Sequence, residues 1–257
     1  MNKDSRFLSR HVHEDDFPAC LLDPWLEAGV GDRAWWAGEE RLAARPLRVA
    51  AIGTRKPSER ALVAMEALCT CLTAEGATIV SGAAAGTDLM AHRAALEAGG
   101  CTIGCLPFGL GFPGARSPGG RSMLWEEPER ALLLSPFSPG QAPTRQTPVI
   151  RNRLIAALAC AVVVGEAKPD SGTYHCASFA LRTGRPVFVL EAPEGSSAGL
   201  VRLQRGVAAR NGARVYTADE CHGGGLAREV CAAARRFTEE KTRRRAEQQD
   251  LLEGDRP

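Results

Sequence analysis

From Leu47 onward the chain alternates short, uninterrupted apolar runs with longer segments whose apolar residues recur at helical spacing. The runs are LRVAAIG (47–53), ATIV (77–80), CTIGCL (101–106), ALLLS (131–135), AVVVGEA (161–167), PVFVL (186–190) and ARVY (213–216). A run that is apolar at every position fits a strand buried on both faces. Between the runs lie helical patterns. Pro57-Ser58 opens one, in which Leu62, Met65, Cys69 and Leu72 share a face and Gly76 ends it. A second spans Asp88–Ala98 and closes at Gly99-Gly100. Others start near Arg151, span Ser171–Thr183 with Gly184 as cap, and span Leu200–Ala209. Strand, helix, strand in this rhythm predicts an α/β fold: a doubly wound, mostly parallel sheet with helices on both faces. A closed (β/α)8 barrel needs eight regular units in roughly 250 residues, and the long loops here leave too little chain for them.

Three stretches fall outside the rhythm. Residues 1–46 read as an irregular N-terminal extension, with Phe17-Pro18, Trp25 and Trp35-Trp36 packing against the main body. Two glycine- and proline-rich loops cover 107–120 and 136–149. After Gly225 comes a polar helix rich in Arg and Glu, ending near Leu252, with Leu226, Val230 and Phe237 to dock its first half. The expected layout is therefore an extension (1–46), an α/β domain (47–220) and a polar C-terminal helix (221–257).

Composition narrows the function without choosing it. The 257 residues carry a net charge of +2, with 44% apolar and 24% charged residues. That is ordinary for a globular protein and too weak a charge to argue for nucleic acid unless cations cluster locally. No apolar run approaches the roughly 18 residues of a membrane span, and the first residues lack the apolar core of a secretory signal. Nine cysteines, an odd number with no CxxC pair, predict reduced thiols in a cytoplasmic protein and no metal site.

Ligands of an open α/β sheet bind beyond the carboxyl ends of its strands, and three of those ends carry unusual chemistry. Gly53-Thr54-Arg55-Lys56 combines a tight turn, a helix N-terminus and two cations, which suits an anion. Ser81-Gly82-Ala83-Ala84-Ala85-Gly86-Thr87-Asp88 is small enough for a ligand to approach the backbone. It is neither the dinucleotide fingerprint nor a phosphate-binding ATPase loop. Asp88 caps its own helix, and His92, four residues on, pairs with it to fix the loop. The third cluster sets Arg145, Arg151, Asn152 and Arg153 at the opening of a helix, where cations again favour an anion. Beside it Glu166 ends the most apolar strand and Ser171-Gly172-Thr173 opens the next helix. Arg153 has a competing reading, an ion pair with Glu166 inside the fold. Gly-x-Ser-x-Gly is absent. His175 and Cys176 are neighbours on a helix and point apart, so no nucleophile has a matching base.

In order along the chain, these clusters resemble the DNA-processing protein A family (DprA, or Smf). The matching stretches are Ala51-Ile52-Gly53-Thr54-Arg55, then Val80 to Asp88 with Ala91-His92 and Ala95 to Gly100, then Arg151-Asn152-Arg153-Leu154-Ile155-Ala156, then Glu166-Ala167 with Ser171-Gly172-Thr173, and Gly184-Arg185-Pro186-Val187-Phe188. The resemblance covers about Leu47 to Glu220 and suggests a minimal or divergent member with the Rossmann-like domain only. It implies an extended Rossmann-like sheet, no enzymatic turnover and no cofactor. It also implies a homodimer that holds single-stranded DNA in a basic pocket and helps load RecA during natural transformation. By resemblance Gly53, Thr54, Arg55 and Lys56 meet phosphate, and Ser81, Gly82 and Gly86 form a small-residue wall. Arg151, Asn152 and Arg153 line the floor, Ser171, Gly172 and Thr173 contribute to the ligand site, and Asp88, His92 and Glu166 support it.

The wider superfamily of this fold also binds nucleotides and, in one branch, hydrolyses a nucleoside bond. That branch carries PGGxGTxxE. Here Pro118-Gly119-Gly120 is followed by Arg121-Ser122-Met123, so the motif is broken. Glu166 has no second carboxylate in evidence. A nucleotide-derivative sensor or nucleosidase is the alternative reading.

Overall fold

The computed structural model describes residues 7–117, 120–168, 171–191 and 214–254. The helix expected over 200–209 lies outside them, as do Pro118, Gly119 and Ala213. The strands are β1 (Leu8–His11), β2 (Arg33–Gly38), β3 (Arg48–Ile52), β4 (Thr78–Ser81), β5 (Thr102–Cys105), β6 (Ala131–Ser135), β7 (Ala161–Val164), β8 (Val187–Leu190) and β9 (Arg214–Tyr216). The helices are α1 (Ala19–Ala28), α2 (Glu59–Ala74), α3 (Thr87–Glu97), α4 (Ser122–Glu126), α5 (Thr147–Leu158), α6 (Gly172–Arg182) and α7 (Gly225–Gly254).

The strands form one sheet in the order β1-β2-β6-β5-β4-β3-β7-β8-β9. From β6 across to β9 every pairing is parallel. The chain leaves β3 toward β4 on one side and later returns to pair β7 with β3 on the other. The order thus reverses between β3 and β7, and the crevice outside their carboxyl ends is where a doubly wound fold takes its ligand.

The apolar runs are continuous because successive side chains enter two different cores. Val49 and Ala51 of β3, with Ala161 and Val163 of β7, pack under α2, α3 and α7. Ala50 and Ile52, with Val162 and Val164, pack under α1, α5 and α6. Each fully buried Leu or Met in these layers, such as Leu68 or Met65, contributes about 1.5–3 kcal/mol. The mostly parallel, doubly wound sheet is as the periodicity predicts.

Two local expectations are corrected. Residues 7–46 are not irregular: α1 packs on α5, β1 pairs with β2, and β2 pairs antiparallel with β6 to extend the sheet. The strand mixes buried Ala34, Trp36 and Ala37 with half-exposed Arg33 and Trp35, a broken pattern unlike the continuous runs that follow. In addition, α5 starts at Thr147 rather than near Arg151, because Pro148 sits in its first turn, where a missing N–H costs nothing. Arg151, Asn152 and Arg153 consequently fall in the body of the helix and project to different sides. The polar C-terminal helix forms as α7, held by Leu226, Val230, Ala234 and Phe237.

Candidate functional site

A cleft of about 470 Å³ opens at the β3/β7 switch point. Three segments build it. The turn after β3 supplies Gly53, Thr54, Arg55 and Lys56. The turn after β7 and the start of α6 supply Lys168, Ser171, Gly172 and Thr173. The approach to α5 supplies Arg145, Pro148, Val149, Arg151 and Asn152. The turns are tied to each other. Thr173 Oγ1 donates to the Gly53 carbonyl at 2.9 Å, and Asn152 Nδ2 donates to the Gly172 carbonyl at 2.9 Å. Ser171 caps α6, its Oγ accepting from the Tyr174 N–H at 3.3 Å, which aims the first turn of α6 into the cleft. The leading N–H groups of a helix have no intrahelical acceptor and favour an anion.

The electrostatics are one-sided. Arg55, Lys56, Arg145 and Lys168 are all exposed at the rim, and none has an ion-pair partner among the described residues. Asp88 is the one carboxylate among the described lining residues, and it is already engaged. It is 7% exposed and faces the guanidinium of Arg151, itself 3% exposed. Burial pushes the Asp88 carboxyl up, while Arg151, the Ala84 and Gly53 N–H groups and the nearby Ser81 hydroxyl pull against that rise. Burial likewise lowers Arg151, with Asp88 opposing. Arg151 also donates from Nη1 to the Cys105 carbonyl at 2.8 Å. It is a buried strut behind the cleft.

The small-residue wall has a steric reason. A Cβ on Gly82 would lie 1.7 Å from Arg151 Nη1, so the guanidinium occupies the space a side chain would need. Gly86 has φ +82°, and a Cβ there would sit 2.6 Å from the Arg55 carbonyl oxygen. The two glycines therefore shape the Arg151 and Arg55 supports, and neither they nor Ser81 line the cleft. Ser81 Oγ donates to the Ala51 carbonyl at 2.6 Å.

Two expected partnerships are redrawn. His92 does not meet Asp88. Its Nδ1 stands 2.6 Å from Thr102 Oγ1, and burial, with Arg151, pushes the imidazole down to about 3. Glu166 is not in the cleft and does not pair with Arg153. It accepts from Ser58 Oγ at 2.5 Å and Ser58 N–H at 3.0 Å, joining the end of β7 to the cap of α2. Arg153 is exposed and outside the cleft lining. Sequence reasoning passed over Lys168, Pro148 and Val149. Lys168 had a usable signal, a cation directly beyond the strand at the switch point.

No group of three or more His, Cys, Asp or Glu among the described residues is placed to hold a metal ion, and none of the described helices is long and apolar enough to cross a membrane. Fold and cleft together define a doubly wound Rossmann-like protein with a basic cleft at its switch point. A family model described as DNA recombination-mediator protein A matches residues 11–219, and the chain belongs to this family, DprA/Smf. It is 33% identical over 195 residues to a putative DNA processing protein DprA of Mycobacterium tuberculosis, a match covering 72% of this chain and 49% of that protein. It is 33% identical over 202 residues to DprA of Streptococcus pneumoniae, covering 72% and 70%. The chain thus spans about half the length of the mycobacterial relative. The solved S. pneumoniae DprA superposes with a TM-score of 0.67 at 30% identity, covering 84% of this chain and 73% of that one. The DNA processing protein A of Helicobacter pylori gives 0.67 at 27%, covering 82% and 92%.

Proposed function

We propose that the chain binds single-stranded DNA in the β3/β7 cleft, without turning it over. The observation that carries this is the set of four cations, Arg55, Lys56, Arg145 and Lys168, converging on one concave site from separate segments without an ion-pair partner among the described residues. Single-strand binders need a basic groove more than a base-reading helix. The H. pylori relative is described as having a unique single-stranded DNA binding mode, which supports the same ligand here. Two observations support the absence of turnover: Glu166 lies outside the cleft and is turned to Ser58, and burial pushes the Cys176 thiol up to about 12, far from a reactive thiolate. The reading extends to a homodimer that hands its strand to RecA, as the family implies. It places the protein in the cytoplasm, where its nine free cysteines stay reduced.

Titrating a labelled single strand, a duplex of equal length and a nucleoside monophosphate side by side tests it. The single strand should bind more tightly than the duplex, and the nucleotide weakly and without product. Equal or tighter duplex binding overturns the proposal. Tight nucleotide binding with product, lost in Glu166→Gln, establishes the nucleosidase alternative instead.

A further inference from the structure

We propose that a second cavity, apart from the cleft, binds an apolar monocarboxylate: a branched or aromatic group bearing one carboxylate and no cation. The cavity, of about 330 Å³, lies where β2 pairs with β6 and shares no lining residue with the β3/β7 cleft. Strands β5 and β4 stand between β6 and β3, so the site is independent of the single-strand reading.

Its walls are apolar and its one charge is fixed. Leu124, Leu133 and Ala37, buried in one core layer, line it together with the partly buried Trp125 and the exposed Pro128. Arg116 is the one charged residue among the described lining residues. Its guanidinium carbon lies 3.8 Å from the centre of the Trp125 ring. The Trp125 Nε1–H in turn donates to the Ala115 carbonyl at 2.8 Å. The indole of α4 thus fastens the turn Pro113–Arg116 at its last two residues. A cation stacked on an indole is held there by the ring's negative face. Held so, the planar fork can meet a carboxylate with two parallel N–H groups while losing little freedom. A guanidinium has five donors, so it can take up a carboxylate beside the contacts it keeps within the protein.

What the cavity lacks narrows the ligand. No carboxylate is among the described lining residues, so the ammonium of a free amino acid would enter an apolar space unpaired. Glu126, Glu127 and Glu129 are close in sequence but do not line it, and Glu127 is engaged by Arg130 at 2.8 Å. One cation balances one negative charge, which suits a carboxylate better than a phosphate dianion. At about 330 Å³ the cavity stands at the small end of ligand pockets, roughly 300–1,000 Å³, and takes a single ring or branched chain. Two sources supply this chemistry. One is a small free acid. The other is the last residue of another polypeptide, whose nitrogen is an uncharged amide and whose carboxylate is free.

The test titrates the whole chain, by calorimetry, with N-acetyl-phenylalanine, its carboxamide, free phenylalanine and an N-acetylated pentapeptide ending in phenylalanine. N-acetyl-phenylalanine should bind at least about tenfold more tightly than the carboxamide, which lacks the charge, and than free phenylalanine, which adds an ammonium. A pentapeptide bound more tightly than the single residue assigns the site to a chain terminus, and equal binding of the two assigns it to a small acid. Arg116→Gln should weaken the acid and the peptide by about tenfold or more, with Arg116→Lys in between because it keeps the charge and loses the fork. Single-strand binding should be unchanged in both variants. Equal binding of acid and carboxamide overturns the proposal, and so does parental affinity in a folded Arg116→Gln chain. Absence of saturable binding by every probe overturns the cavity as a site. The comparison of acid with carboxamide uses the unaltered chain, so it decides the matter even where Arg116→Gln fails to fold.

Discussion

Thr173 and Gly53, 120 positions apart in sequence, are joined by a 2.9 Å hydrogen bond from the Thr173 hydroxyl to the Gly53 carbonyl. The bond crosses the switch point and latches the turn after β3 to the start of α6. Thr173→Val keeps the shape and removes the donor, which should cost about 1 kcal/mol of stability and loosen the cleft. Single-strand affinity should fall by less than tenfold, and Thr173→Ser should restore it. Unchanged affinity and an unchanged denaturation midpoint in Thr173→Val would show that the latch is idle.

Arg55 and Arg153 separate surface charge from cleft charge. Arg55 is at the rim; Arg153 is exposed on α5 outside it. A charge-assisted hydrogen bond is worth roughly 1.5–3 kcal/mol, so Arg55→Ala should weaken single-strand binding about tenfold to a hundredfold at unchanged melting temperature. Arg153→Ala should change neither quantity. Equal losses for both would mean that the strand runs along α5 instead.

The contrast marks how far the sequence was legible. The alternation of strands and helices, the helical layers on both faces and the turns that line the cleft could be read because periodicity and chain punctuation carry them. The orientation of Arg151, Asn152 and Arg153 could not. It depends on where α5 starts, and moving that start four residues to Thr147 turns Arg151 inward and Arg153 outward. The pairing of His92 with Thr102 was hidden for a related reason: helical spacing names the neighbours on a helix, but not the strand residue packed beneath it. Residues 7–46 were misjudged because β2 interrupts its buried Ala34, Trp36 and Ala37 with partly exposed Arg33 and Trp35 and so lacks a continuous buried run.

Arg151 should behave as a structural residue. Replacing it with Met removes the donor to the Cys105 carbonyl and the positive charge that faces the buried Asp88 carboxyl; losing a hydrogen bond from a charged group costs about 1.5–3 kcal/mol. Arg151→Met should therefore lower the denaturation midpoint sharply, and adding Asp88→Asn should recover part of the loss. Gly82→Ala should be destabilising too, since its Cβ would enter the guanidinium's space. A stable, fully folded Arg151→Met chain would refute the strut.

His92 makes a pH prediction. Burial, with Arg151, holds the imidazole near 3, against about 6.5 in the unfolded chain. A depressed histidine stabilises the fold fully above the unfolded value. That stability drains away as pH falls from about 6.5 toward 3, because the unfolded state takes up the proton first. His92→Gln should flatten the stability profile across this window, as read from denaturant midpoints between pH 7 and pH 4. A profile of unchanged slope would mean that His92 is protonated in the fold.

Glu27 governs how α7 is held, and its pH signature has the same direction with a lower window. Arg185, whose side chain is 1% exposed, donates from Nη2 to Glu27 Oε2 at 3.0 Å and also binds the Ala157 and Ala159 carbonyls. From α7, Lys241 reaches the same carboxylate at 2.7 Å, and Phe237 lies under the Arg185 guanidinium. Arg245 pairs with Asp23 one turn along α1. Burial alone would raise the Glu27 carboxyl, but Arg185 and then Lys241 outweigh it, so the group sits below its ordinary value. A carboxylate lowered in the fold stabilises it above the unfolded pKa, and that contribution is lost as pH falls through the folded one. Glu27→Gln should therefore be less stable than the parent at pH 7, and the gap should close below about pH 4.5. With its clasp weakened, α7 should also become open to protease beyond Phe237 while the sheet stays intact. Cleavage at the parental rate in Glu27→Gln at pH 7 would show that the apolar contacts of Leu226, Val230 and Ala234 hold the helix without the carboxylate.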